Sequence, residues 1–374
     1  MTAYIVDYNK LLPGDIVLSA ERALPSKAIR AATAARYSHA AVWVGGSLIQ
    51  ATLDGVFSAN PQRVHFAQSA DAAVYRSRTP LTERQAALIC NYARSCVGSL
   101  YALSELALLP LGRFKKIGMP ATKRQFCSRL VAMAYAYAGY ELNERISPEF
   151  CTPRMISLSR KLQAVPGMIR LANLEELDIA ASPDGIRMNQ EQLFKWVNGI
   201  RSIVEADPSL RDKFDIQSDS DAYKLLLAHP ELDGQATKLL RESGYLSFYN
   251  HDATVERNSY RYDKSAMDEA LREKDPVVLL HSELDKEPRM FDRFDSMRMS
   301  MSMYYRDTGL EFFRELVMLY RNLLHVVGVR LDVIAYGFDR AGDAAVAESV
   351  RQLLALTERA ITEADELCAA PAAN

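Results

Sequence analysis

The sequence predicts an α+β domain followed by a mostly α-helical domain, on three observations. In the first half, short apolar and β-prone runs are punctuated by Pro and Gly turns; in the second, apolar residues recur every three or four positions with almost no alternation. The charge also changes sign between the two. The formal total is −2, yet residues 1–178 hold 21 Lys and Arg against 13 Asp and Glu, a net +8, whereas residues 179–374 hold 24 against 34, a net −10. The boundary falls in "LDIAASPDGIRMN", Leu177 to Asn189, where small residues, a Pro and a Gly interrupt the periodic segments, so the expected domains are 1–178 and 184–374.

With 374 residues, 49% hydrophobic and 25% charged, the chain can bury two ordinary cores. No uninterrupted apolar run reaches bilayer length. Met1 to Lys10 carries Asp7 and polar groups where a secretory leader would be apolar, so a cytoplasmic location is expected, with delivery by a specialised secretion route as the alternative. Five scattered cysteines (Cys90, Cys96, Cys127, Cys151, Cys368) have no CxxC spacing, which argues against a disulfide framework and against structural zinc.

Taken in order, "LLPGDIVLSA" (Leu11 to Ala20) gives a turn at Pro13-Gly14 and then a strand. "PSKAIRAATAAR" (Pro25 to Arg36) has helical composition. "RYSHAAVWVGGSLIQAT" (Arg36 to Thr52) reads as a hairpin turning at Gly45-Gly46, and "DAAVYRS" as another strand. "TERQAALICNYARSCVG" has helical periodicity, with Thr82 as N-cap and Gly98 as stop, and "GMIRLA" adds a late strand. In the second half, "NQEQLFKWVNGIRSIVEA", "DAYKLLLAH", "TGLEFFRELVMLYRNLLHVV" and "AGDAAVAESVRQLLALTERAITEADEL" carry helical stripes. "MRMSMSMYY" (Met297 to Tyr305) alternates strictly and suits a short strand or an irregular packed segment, its methionines taken as core. "NHDAT" reads as a surface loop, and "HSELD" as an ordinary charged helix face.

Two places carry chemistry. A two-residue turn at Gly45-Gly46 sets Val44 opposite Ser47, Ala41 opposite Gln50 and His39 opposite Thr52, so His39, Ala41 and Gln50 share one side of the sheet. Gln50 is then diagonal to His39, within reach of an imidazole it could orient. In "FCSRLVAMAYAYAG" (Phe126 to Gly139), strong helix formers and a closing Gly139 define a helix with Cys127 in its first turn. The helix dipole and unpaired N–H groups there favour a thiolate, and the same N–H groups can hold an oxyanion.

These residues have a familiar order. "PGDIVL", "YSHAAVWVGG" followed by "LIQA", "VGSLYALSE" and "FCSRLVAMAYAYAG" resemble the permuted NlpC-type papain-like amidases, a group that includes YiiX/YaeF-like proteins and the lecithin:retinol acyltransferase-like enzymes. Histidine precedes cysteine here, as in the circularly permuted branch. The resemblance covers the first half of the chain and implies a circularly permuted papain-like domain there. Carried over, it places the nucleophile on Cys127, the general base on His39 and the imidazole-orienting group on Gln50, with Thr52 as the alternative. A neutral Gln orients the ring without adding the charge that a carboxylate at this position would. Tyr101 matches a tyrosine of the family and is expected, with Tyr37, at the substrate pocket.

The remaining features are read as structural. Cys90 and Cys96 lie six positions apart on a helix, not on one face; Cys151 precedes a helix cap, and Cys368 is in the tail. The absence of a Walker loop, a GxGxxG or an HExxH leaves no cofactor and no metal expected. Between Arg113 and Arg129, six basic residues (Arg113, Lys115, Lys116, Lys123, Arg124, Arg129) and no acidic ones surround the cysteine, with apolar "LSELALLPLG" before them. Lys123 and Arg124 are accordingly expected to meet an anionic substrate, or alternatively to dock the acidic C-terminal domain. The expected partner is a peptide-like or acylated substrate and not nucleic acid, a membrane surface being less favoured. The expected reaction is thiol-based amide hydrolysis, with two alternatives: acyl transfer or lipid hydrolysis by the same thioester chemistry, and an inert papain-like scaffold with a helical interaction domain.

Overall fold

In the computed structural model, which describes residues 3–20, 36–102, 123–144 and 146–369, the chain forms two compact units, Met1–Tyr223 and Lys224–Asn374. The first is built on an antiparallel sheet in the order β5-β4-β3-β2-β6-β7, made of β2 (Ile16–Ser19), β3 (His39–Trp43), β4 (Leu48–Thr52), β5 (Gly55–Ala59), β6 (Ala72–Ser77) and β7 (Leu162–Val165). A second, two-stranded sheet pairs β1 (Tyr4–Val6) with β8 (Ile169–Leu171). Helices α1 (Glu83–Ser95) and α2 (Cys127–Tyr137) pack on one face of the large sheet, where Leu18, Ala40, Val42, Ile89, Leu130 and Tyr135 form one apolar cluster. The other face, with Val17, Ala41, Trp43 and Val74, is covered by Val6 and Met168. All five residues of β3 are therefore buried, and its sequence HAAVW carries no polar alternation beyond its first residue.

Local chemistry accounts for the boundaries. Thr82 caps α1, its hydroxyl accepting from the Gln85 N–H, and Gly139, at φ +73°, closes α2. After α3 (Pro153–Ser157), capped by Thr152, and β7 and β8, the chain continues through α4 (Leu174–Ala181), α5 (Gly185–Ala206), α6 (Pro208–Arg211) and α7 (Asp219–Ala228). The seam expected at Leu177–Asn189 thus lies inside the first unit. Its Pro and Gly belong to a helix start, not a linker: Asp184 accepts from the N–H groups of Ile186 and Arg187. Gln190 of α5 then pairs in both directions with the Ser58 backbone of edge strand β5, at 2.5 and 2.8 Å.

The second unit is helical: α8 (Asp233–Glu242), two 3-10 stretches (Tyr245–Thr254 and Glu256–Arg261), then α9 (Lys264–Glu273), α10 (Pro276–Leu284), α11 (Glu287–Thr308), α12 (Glu311–Ala341) and α13 (Ala344–Ala369). Its core centres on α12, whose Val327, Leu331, Ile334 and Phe338 cluster with Leu280 and Val350. Two expectations change here. Met297 to Tyr305 is neither strand nor irregular but part of α11, and the helical period selects Arg298, Met301, Ser302 and Tyr305 for burial while Met299 and Met303 are more than half exposed. "NHDAT" is a 3-10 turn rather than a loop, held because Asp252 accepts from Asn258, Arg261 and Tyr262. The predicted helix Pro25 to Arg36 lies, except for Arg36, outside the described residues. Among the described residues no helix is long and apolar enough to cross a membrane.

Each unit contains a buried carboxylate paired with arginine that has a testable energetic role. Glu176 accepts from Arg170 at 2.6 and 2.8 Å, from the Asn173 N–H and from Tyr8, tying α4 to the β1–β8 sheet. Chiefly the Arg170 guanidinium holds its carboxyl down from 4.5 to about 2. A depressed carboxyl stabilises the fold above its unfolded value, so this contribution is present above pH 4.5 and lost as pH falls toward 2. Thermal melts across that window should show Glu176→Gln less stable at pH 7 and flatter toward acid; parallel curves would contradict the assignment. In the second unit, fully buried Glu287 pairs with Arg330 through two 2.7 Å bonds. Glu287→Met alone should cost roughly 3–5 kcal/mol in denaturant unfolding, because it strands a buried guanidinium. Adding Arg330→Met should recover most of that loss, and a purely additive double variant would contradict this.

Candidate active site

The turn at Gly45-Gly46, with φ +78° and +142°, fixes the hairpin register: Ala41 pairs with Gln50, Val42 with Ile49 and Trp43 with Leu48. His39 is the first residue of β3, and its Nε2 lies 2.8 Å from Gln50 Oε1. An amide oxygen can only accept, so Nε2 carries the proton and the neutral ring keeps its basic lone pair on Nδ1. Thr52, the alternative orienting group, instead accepts from the Asp54 N–H within the next turn. Both His39 and Cys127 are buried, at 7% and 5% exposure.

Cys127 is the first residue of α2, and its Sγ lies 3.9 Å from the carbonyl oxygen of Ser38. The thiol therefore rests against the peptide that joins Ser38 to His39. Along β3, Ala40 and Val42 face α2 while Ala41 belongs to the cluster on the opposite face, so the thiol reaches the strand at its end. The site lies where the first end of an interior strand meets a helix start.

That helix start is bare. Phe126 occupies the N-cap and makes no side-chain cap, and the first intrahelical bond is from Leu130 N–H to Phe126 carbonyl. The N–H groups of Cys127, Ser128 and Arg129 precede it, and the first turn holds no acidic residue. Ser128 Oγ donates to the Cys151 carbonyl at 2.8 Å, pinning this turn to the loop before α3. Gln125 donates from Nε2 to the Lys123 carbonyl, while its buried Oε1 has no partner among the described residues.

The other expected residues are placed as follows. Tyr101 is half-buried, packs against the α1–α2 core and bridges in parallel to Gln125. Tyr37 is inside that core, edge-on to Tyr75, with the Arg36 guanidinium 5.3 Å over its ring. Lys123 is paired with Asp221 at 2.9 Å, and Arg124 is exposed. Arg129 is buried, whereas Arg113, Lys115, Lys116 and the apolar run before them lie outside the described residues. Sequence reasoning missed the Ser38 carbonyl and the side chains of Gln217 and Asp221, which sit close to the helix start from roughly a hundred residues away. The one local signal was Phe126, an unusual N-cap. Among the described residues no group of three or more His, Cys, Asp or Glu could hold a metal ion.

Residues 10–147 match the family described as permuted papain-like amidase enzymes, YaeF/YiiX, C92 family. No curated protein matches the chain.

The four other cysteines provide an internal reference. Burial pushes the thiols of Cys96 and Cys151 up to about 12, and those of Cys90 and Cys368 upward as well. A raised thiol stays protonated at neutral pH and is a poor nucleophile. Mass-resolved alkylation of the native protein with iodoacetamide at pH 7 should therefore modify Cys127 first, by at least about tenfold over the rest. Uniform modification of all five would contradict a distinct environment for Cys127.

Proposed function

We propose that the permuted papain-like domain is a thiol hydrolase that cleaves an amide bond of a peptide or peptide-like substrate through an acyl-enzyme. The observation that supports this reading is the 2.8 Å bond from His39 Nε2 to Gln50 Oε1, together with a cysteine at an uncapped helix start whose sulfur lies 3.9 Å from the carbonyl of Ser38, the residue before His39. In this reading His39 Nδ1 takes the proton of Cys127, and the sulfur attacks the substrate carbonyl. The oxyanion is held by N–H groups at the start of α2, at the positive end of the helix dipole. His39 then returns its proton to the leaving amine, the thioester remains on Cys127, and water releases the acid by the same proton exchange in reverse.

Gln50 keeps the ring from rotating and fixes its tautomer, but lends no negative charge to the imidazolium. The Lys123–Asp221 pair removes one cation from the set that motivated an anionic substrate.

The test is turnover on a panel of fluorogenic aminoacyl amides and a matched set of fatty-acyl esters. Cys127→Ala and His39→Ala should abolish amide cleavage, while Gln50→Ala should lower kcat about 10- to 100-fold with little change in KM, since it disturbs orientation and not binding. Fatty acid release with amides untouched would replace the amidase with a lipid hydrolase. A Gln50→Ala variant with unchanged kcat would remove Gln50 from the mechanism.

A further inference from the structure

We infer that the segment Asp215–Asp221, outside the family-matched stretch, is a clamp that sets the position of the nucleophile helix, with Gln217 and Asp221 as positioning residues. The inference rests on the reading of Cys127 as nucleophile.

Two short stretches of chain lead into that helix. In the first, Gly98–Ala102, the Gly98 N–H donates to the Val56 carbonyl and the Ser99 carbonyl accepts from Val56 N–H, so the stretch lies along edge strand β5. The contact is close enough to require glycine at position 55: φ there is +107°, and a Cβ would stand 2.7 Å from the Ser99 oxygen. The second stretch, Lys123–Gln125, runs parallel to the first, Gln125 N–H donating to the Leu100 carbonyl at 3.0 Å and Ala102 N–H to the Gln125 carbonyl at 2.9 Å. Two residues later comes Cys127. A slip in this pair moves the sulfur along the helix axis.

Both stretches are held from the same place. Gln217, 3% exposed, accepts the Leu100 N–H on Oε1 at 2.9 Å and donates from Nε2 to Asp215 at 2.6 Å. Asp221 accepts the N–H groups of Gln217 and Ser218 and pairs through Oδ1 with Lys123 at 2.9 Å. Arg201, buried on α5, donates to the carbonyls of Gly98, Ile216 and Gln217, joining the clamp to the stretch it holds. Leu100 is thus tied through Gln217, and Lys123 through Asp221, each across roughly a hundred residues of chain. The ties bracket the one bridge that leads to Cys127. Because a displacement of about 1 Å can cost 10²-fold in an attacking group's efficiency, the tightness of this bracket is a catalytic quantity and not only a structural one.

The full-length chain is tested with iodoacetamide as the probe, recording the rate at Cys127 against pH. Asp221→Asn keeps the shape and the N–H acceptor but loses the ion pair with Lys123. Removing a negative charge would by electrostatics alone make the thiol more acidic and faster; a loosened clamp makes it slower, with the midpoint at higher pH. The expected result is a fall of about two- to fivefold at pH 7 with the midpoint raised, and about tenfold for Gln217→Met, which leaves the Leu100 N–H without its acceptor. Wild-type or faster profiles for Asp221→Asn would overturn the inference, and that variant decides the matter if Gln217→Met does not fold. Loss of Cys127 selectivity in the wild type would instead overturn the nucleophile reading, so the two failures are distinguishable.

Discussion

Everything at the site follows from the pairing register of β3 and β4. Because the turn at Gly45-Gly46 opposes Ala41 to Gln50, the glutamine lies diagonal to His39 and its amide oxygen meets Nε2 at 2.8 Å. A slip of one residue would turn Gln50 to the other face and leave a buried imidazole without its acceptor. The apolar residues enforce the register: β3 is buried on both faces, so no slipped pairing keeps Val42 and Ile49 with the α1–α2 core and Trp43 and Leu48 with the opposite one. Core packing thereby sets the tautomer of a histidine.

The second constraint is the start of α2. A capped helix would have spent one of its first N–H groups on a Ser, Thr, Asp or Asn side chain; Phe126 makes no such bond and contributes buried apolar surface instead. Side chains cap other helices at Thr82, Thr152, Asn173 and Asp184, whereas Phe126, like Leu232, Lys286 and Leu310 in the second unit, makes no side-chain cap. What stabilises this end of α2 is tertiary: Ser128 bonded to the loop before α3, and the bridge between Leu100 and Gln125. Elements far along the chain thus hold this end of α2, much as Asp233 holds the start of α12 by accepting the Glu311 and Phe312 N–H groups.

That division of labour explains what could be read from the sequence. The hairpin, its register, the capped start of α1, the glycine stop of α2 and the order of His39 before Cys127 are local patterns, and each was legible. The domain seam was not, since "SPDG" has the composition of a linker and the function of a helix cap; the bonds of Gln190 to β5, of Arg187 to Asp54 and of Arg201 to the Gly98 carbonyl reveal that α5 belongs with the sheet. Met297 to Tyr305 misled through its period of two, which a helix ignores because burial there is decided by position around the axis. Lys123 read as a cation for an anionic substrate or for the acidic second half of the chain, and its partner, Asp221, lies about a hundred positions away in that half. Long-range pairs of this kind leave no local trace in a single sequence.

The central claim is that His39 and Cys127 exchange one proton while Gln50 holds the ring. It is tested most directly by imidazole ¹⁵N chemical shifts of His39 followed through a pH titration, in the wild type and in Cys127→Ala. Nε2 should remain protonated throughout, Nδ1 should be the nitrogen that titrates, and its midpoint should move when the thiol is removed. A ring protonated on Nδ1 in its neutral form, or a titration indifferent to the loss of Cys127, would contradict the pairing.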